Sequence, residues 1–123
     1  MKTILIVDDE SSIVEMLRDL LQEADYKVLV AMDGMQATMQ AIRFKPDLIL
    51  LDISMPAGGG IAVYNRLKQS VETQGIPVIF LTAMPPSDIA QKIPFTDNVT
   101  VFRKPFKQKE LLALINKMLG ASQ

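Results

Sequence analysis

Short apolar runs alternate with segments of helical period along most of the chain. Ile4 to Val7, Leu48 to Leu51 and Ile76 to Leu81 are almost unbroken in valine, isoleucine, leucine and phenylalanine, the pattern of parallel strands covered on both faces. Lys27 to Ala31 and Val99 to Arg103 are shorter and carry charge at their ends, which suits edge strands. Between them, Ile13, Leu17, Leu20 and Leu21 recur at helical spacing behind Ser11 and Ser12, either of which is a candidate cap. Asp33, followed three residues later by Gln36, forms a capping arrangement that opens a second helix to about Phe44. A third helix is predicted from about Gly60 to Val71, and Leu111, Leu114, Ile115 and Met118 mark another near the carboxyl end. Between Thr82 and Asn98, Pro85, Pro86 and Pro94 leave room only for one short, weakly signalled helix.

Five strands alternating with helices predict an α/β fold, a doubly wound parallel sheet with helices on both faces. The favoured strand order is the flavodoxin-like 2-1-3-4-5. It makes strands 1 and 3 neighbours, and their carboxyl ends border the crevice in which such sheets bind ligands. Asp8 and Asp9 follow strand 1, Asp52 ends strand 3, Thr82 ends strand 4 and Lys104 follows strand 5. Three carboxylates, a hydroxyl and an ammonium are thereby predicted along one edge.

Each has a bland reading by itself. The acids at 8 to 10 suit the positive end of a helix, Asp52 and Thr82 suit turns, Lys104 suits solvent, and Gly58 to Gly60 suit a flexible loop. Their joint position is what the bland readings leave unexplained. Clustered carboxylates repel, and a divalent cation is one way to keep them ionised. Few acids, oxygen ligands and room for water describe a magnesium (Mg2+) site. A carboxylate held there can act as a nucleophile toward phosphorus while a hydroxyl and a lysine stabilise the new oxygens. Asp52, Thr82 and Lys104 fit those three roles.

Composition narrows the chemistry further. The 123 residues fit a single domain, residues 1–123, and the formal charge of −1 offers no field for nucleic acid or an anionic membrane. The chain has no cysteine and no histidine, which removes thiolate, disulfide and imidazole chemistry together. No apolar run approaches membrane-spanning length, and the amino terminus lacks a signal-peptide core, so a cytoplasmic location is expected.

The motifs IVDDE, LLDISMPAGGG, LTA and KPF, in that order and at these spacings, resemble those of two-component response-regulator receiver domains of the chemotaxis-regulator kind over nearly the whole chain. The resemblance implies that Asp52 accepts a phosphoryl group from a histidine kinase or a histidine phosphotransfer protein. It implies that Asp9, Asp52 and the backbone carbonyl of Ser54 hold magnesium, with Asp8 acting through water, and that Thr82 and Lys104 bind the phosphoryl group. It further implies a cis Lys104-Pro105 peptide, a small residue at Ala83 that leaves the phosphoryl pocket open, and an output partner or domain downstream. The missing histidine agrees, since the donor imidazole then belongs to a partner. The chain departs from the family at Val101, where an aromatic switch residue often stands, with Phe102 one position later. FTDN replaces the usual Gly-Ala turn before strand 5. The switch is therefore expected to act through Thr82 into Met84, Pro85 and Pro86. The rival enzyme reading is a haloacid-dehalogenase-type phosphatase, which uses an aspartyl phosphate, magnesium, Thr or Ser, and Lys. Its nucleophile ends strand 1 in a D-x-D pattern, whereas Glu10 stands two residues after Asp8. A flavodoxin-like nucleotide binder is disfavoured because no glycine-rich phosphate loop is present.

Overall fold

The computed structural model describes residues 1–53, 59–83 and 98–120. Strands β1 (Thr3–Val7), β2 (Lys27–Ala31), β3 (Leu48–Asp52), β4 (Val78–Thr82) and β5 (Val99–Arg103) alternate with helices α1 (Ser11–Glu23), α2 (Gly34–Phe44) and α3 (Gly59–Gln69), and α4 (Gln108–Met118) follows β5. All pairings are parallel, in the order 2-1-3-4-5. The α/β sheet read from the apolar runs is therefore the observed one. Ser54, Gly58, Met84, Pro85, Pro86 and the short helix expected before Asn98 lie outside the described residues.

Alternation along the strands sorts side chains onto two faces, as a side-chain period of two requires. Leu5, Val7, Ile49, Leu51, Val78 and Phe80 pack with Ala37, Ala41, Val63 and Leu67 of α2 and α3. Ile4, Ile6, Leu48, Leu50, Ile79 and Leu81 pack on the other side with Val14, Leu17 and Leu21 of α1 and Leu111 and Ile115 of α4. The three central strands are thus buried on both faces, which is why they read as continuous apolar runs. Strand parity in β5 puts Val101 with the first cluster and Phe102 with the second, where its ring meets Phe106 edge-on at 5.7 Å. Among the described residues, no helix is long and apolar enough to cross a membrane.

Two helix entries show how side chains set the boundaries. At α2 the Asp33 carboxylate accepts the Gln36 N–H at 2.8 Å, and Gln36 Oε1 accepts the Met32 N–H at 3.0 Å. The capping pair thus closes one residue further back than the usual box. At α1 neither serine caps. The residue before the helix is Glu10, whose side chain makes no capping bond, and Ser11 is already helical. The expectation of a Ser11 or Ser12 cap is corrected here, because the Asp8 carboxylate takes the Glu10 N–H at 2.9 Å and forms the entry turn itself.

Candidate functional site

Strand register builds the site. Val7 lies level with Leu51 across the β1–β3 pair, so Asp8 and Asp52 are the next residues out of the sheet on neighbouring strands. Asp52 lies level with Leu81 on β4, which places Thr82 one step beyond it. Thr82 in turn lies level with Arg103, and its carbonyl accepts the Lys104 N–H at 2.8 Å. Asp8, Asp52, Thr82 and Lys104 therefore reach one carboxyl edge because four parallel strands end together. The Lys104–Pro105 peptide is cis.

The acids converge. Asp8, Asp9 and Asp52 each offer a carboxylate oxygen within 4.8 Å of the others. Asp8 and Asp52 are buried while Asp9 is exposed. Lys104 Nζ stands 3.8 Å from Asp8 Oδ2 and 3.7 Å from Asp52 Oδ1, with its side chain only 20% exposed. Those distances exceed a good charge-assisted hydrogen bond, so one ammonium stands between two carboxylates without closing tightly on either. Asp8 Oδ2 is buried and has no hydrogen-bond partner among the described residues. A buried, orphaned carboxylate oxygen costs free energy comparable to a lost hydrogen bond or more, and it marks where a cation or an ordered water fits.

Burial pushes the Asp8 carboxyl from 3.8 up to about 6. The nearby charges of Asp52 and Asp9 also raise it, while the Glu10 amide and the Lys104 ammonium pull it down. The metal-free fold thus binds this proton more tightly than the unfolded chain does. Asp8's favourable share of stability is complete only below about pH 4 and is lost progressively as pH rises from there through 6. Asp8→Asn is therefore expected to stabilise the metal-free protein at pH 7, by at most about 3 kcal/mol, and to flatten the change in stability between pH 5 and 7. Urea unfolding in a chelator at the two pH values checks this, and an unchanged pH difference in the variant would contradict the assignment.

Gly59 and Gly60 complete the site and were hidden in a run that reads equally well as a flexible loop. Gly59 has φ +65°, a conformation that favours glycine. A Cβ on Gly60 would sit 2.3 Å from the Asp52 carbonyl oxygen, and the Gly60 N–H bonds the Ile53 carbonyl at 3.0 Å. The start of α3 is thereby pressed against the backbone that carries Asp52. The sequence signal was the position of the glycines, seven and eight residues after the aspartate.

Comparison with known proteins agrees with this geometry. Residues 4–116 match the response regulator receiver domain. The phosphate regulon transcriptional regulatory protein PhoB of Pseudomonas aeruginosa is 41% identical over 121 residues, which cover 96% of this chain and 52% of PhoB. The chain spans about half the length of the curated relatives it matches. The chemotaxis protein CheY4 of Vibrio cholerae superposes with a TM-score of 0.88 at 28% identity, covering 97% of this chain and 99% of that one. The receiver domain of the sensor histidine kinase PA1611 of Pseudomonas aeruginosa, solved with magnesium coordinated in its active-site cleft, gives a TM-score of 0.87 at 26% identity, with 98% of each chain covered. By the span of the sequence match and by the shared sheet, this chain belongs to the response regulator receiver domains, the signalling domains of two-component systems.

Proposed function

We propose that the chain is a phosphoacceptor in which Asp52 takes a phosphoryl group from the phosphohistidine of a histidine kinase or a histidine phosphotransfer protein. The observation that carries this reading is the convergence of Asp8, Asp9 and Asp52 on one edge with the Lys104 ammonium 3.7 Å from Asp52. An Asp52 carboxylate oxygen forms the bond to phosphorus as the donor's N–P bond breaks, and the departing imidazole keeps the electron pair and takes a proton. The chain has no histidine, so that imidazole belongs to the partner. Lys104 offsets charge on the phosphoryl oxygens, and the Thr82 hydroxyl donates to one of them. Burial of Asp52 and Thr82 limits access by water to the acyl phosphate.

The donor set suits magnesium. Asp9, Asp52 and the Ser54 backbone carbonyl would hold it, with Asp8 acting through water, and Ser54 enters on the family resemblance alone. When bound, magnesium offsets the mutual repulsion of the acids and draws charge from the phosphoryl oxygens. The fit rests on the orphaned Asp8 Oδ2 and the three oxygens within 4.8 Å. Asp9→Ala is accordingly expected to weaken magnesium binding and, by removing one of several crowded like charges, to stabilise the metal-free fold. Both changes should appear together in magnesium titrations and thermal melts. Magnesium affinity equal to the parent's would reduce Asp9 to a helix-end charge.

The haloacid-dehalogenase reading draws no support, since the family match is to receivers and Glu10 supplies only a backbone N–H to Asp8. We propose no nucleic-acid contact for these residues, whose charge of −1 attracts no phosphate backbone. Incubation with magnesium and acetyl phosphate tests the function. One stoichiometric, acid-stable and base-labile adduct is expected, and steady turnover of a phosphate ester would point to a phosphatase instead.

A further inference from the structure

Phe106 stands as a partition between two open cavities. On one side lies a cavity of about 400 Å³ lined by Ile13 and Met16 of α1 together with Lys104, Pro105 and Phe106. On the other lies one of about 510 Å³ lined by Phe102, Arg103, Lys107 and Glu110 with the same Pro105 and Phe106. Each exceeds the roughly 150 Å³ that accommodates a benzene ring. A side chain in a close-packed core is locked by neighbours on every side. The half-buried Phe106 ring has open volume on two sides, and its edge-on contact with Phe102 at 5.7 Å holds it where it is. A ring placed in this way has two positions open to it. Among the described residues, three charged side chains, Arg103, Lys107 and Glu110, line the second cavity, against one, Lys104, in the first.

Lys104 connects that choice to the acidic edge. Its ammonium stands between Asp8 and Asp52 at 3.8 and 3.7 Å without closing on either. Its backbone is held in place, since its N–H bonds the Thr82 carbonyl at 2.8 Å, so a pull on the ammonium is taken up by the side chain. A phosphoryl group on Asp52 adds negative charge on that side only and draws the ammonium from Asp8 toward Asp52. Asp8 leads into α1 through the Glu10 turn, so the movement carries the Lys104 stem away from the α1 wall of the first cavity. Space opens there, and the Phe106 ring gains apolar contact with Ile13 and Met16 by turning into it. At the position where receivers often carry an aromatic switch, Val101 is β-branched, stiff about χ1 and packed with the cluster on the opposite face of the sheet. No ring is there to move.

We propose that Phe106 is a switch residue coupled to phosphorylation: it rests against Phe102 in the unphosphorylated chain and turns into the Ile13 and Met16 cavity when Lys104 engages a phosphoryl group on Asp52. The switch rests on the phosphoacceptor reading, and through it phosphorylation reshapes the surface between α1 and α4. Nuclear Overhauser contacts of the Phe106 ring in the parent chain, recorded with and without magnesium and beryllofluoride as the phosphoryl mimic, test it. With the mimic bound, the ring should gain contacts to the Ile13 and Met16 methyl groups and lose those to the Phe102 ring. Met16→Trp fills the cavity and should weaken beryllofluoride binding at least fivefold. The same substitution in a Phe106→Ala background should leave binding unchanged, because no ring is then displaced. A Phe106 ring that keeps its Phe102 contacts while the Asp52 and Lys104 amides respond to the mimic overturns the proposal and leaves the phosphoacceptor reading standing. So does a Met16→Trp variant that binds as tightly as the parent, or one whose penalty persists in the Phe106→Ala background. Asp52 and Lys104 amides that do not respond at all remove the phosphoacceptor reading and the switch with it.

Discussion

Gly60→Ala is expected to destabilise the protein by about 3 kcal/mol or more, a fall in thermal midpoint of roughly 10 °C. Two effects oppose each other. Alanine is favoured over glycine inside a helix by about 1 kcal/mol, so an unobstructed site would gain stability. At Gly60, however, the added Cβ meets the Asp52 carbonyl oxygen at 2.3 Å, its carbon at 2.9 Å and the Ile53 Cα at 3.1 Å. These are backbone atoms at the end of a buried strand, so no side chain can swing aside and the start of α3 must lift away from β3. The loss is a large fraction of the 5–15 kcal/mol that holds a typical domain together. Displacing the Asp52 backbone also moves its carboxylate relative to Lys104, so acceptance of a phosphoryl group should fall as well. Gly75 is the control, because a Cβ there meets nothing within 4 Å. Gly75→Ala should stay within about 0.5 kcal/mol of the parent. Equal midpoints for the two variants in thermal unfolding would show that α3 does not press on β3 as described.

That close approach also marks where the sequence stops being legible. β2 and β5 begin and end where their apolar runs do, at Lys27–Ala31 and Val99–Arg103. β4 starts at Val78 rather than Ile76, because Pro77 has no N–H to give the ladder and joins only through its carbonyl, which accepts from Ile49. Spacing and strand order were enough to bring Asp8, Asp9, Asp52, Thr82 and Lys104 to one edge, since parallel strands of equal length end together. They were not enough to find the turn in which Asp8, not a serine, opens α1. A carboxylate bonded to an amide two residues on leaves no periodic trace. Nor did they give the role of Gly59 and Gly60, which depends on a through-space distance to Asp52. The departure at Val101 was visible only against the family resemblance, while strand parity puts Val101 and Phe102 on opposite faces, and they lie there.

Asp52→Asn is expected to abolish phosphoryl uptake while leaving the fold intact. Asparagine has nearly the shape of aspartate, but its amide is no nucleophile toward phosphorus. The substitution removes a carboxylate that is 4% exposed and shares its surroundings with two others, so folding does not depend on the lost charge. Lys104 keeps Asp8 as a neighbour at 3.8 Å. The remaining acids are poor substitutes. Asp8 holds the Glu10 amide with one oxygen and is pushed toward its protonated form, and Asp9 is exposed to water. A thermal midpoint equal to or above the parent's would show that any loss of labelling is chemical rather than structural. The deciding measurement is intact mass of parent and Asp52→Asn, side by side, after incubation with magnesium and acetyl phosphate. The parent should gain one phosphoryl group and the variant none; a variant labelled to the parent's level would contradict the assignment of Asp52 as the acceptor.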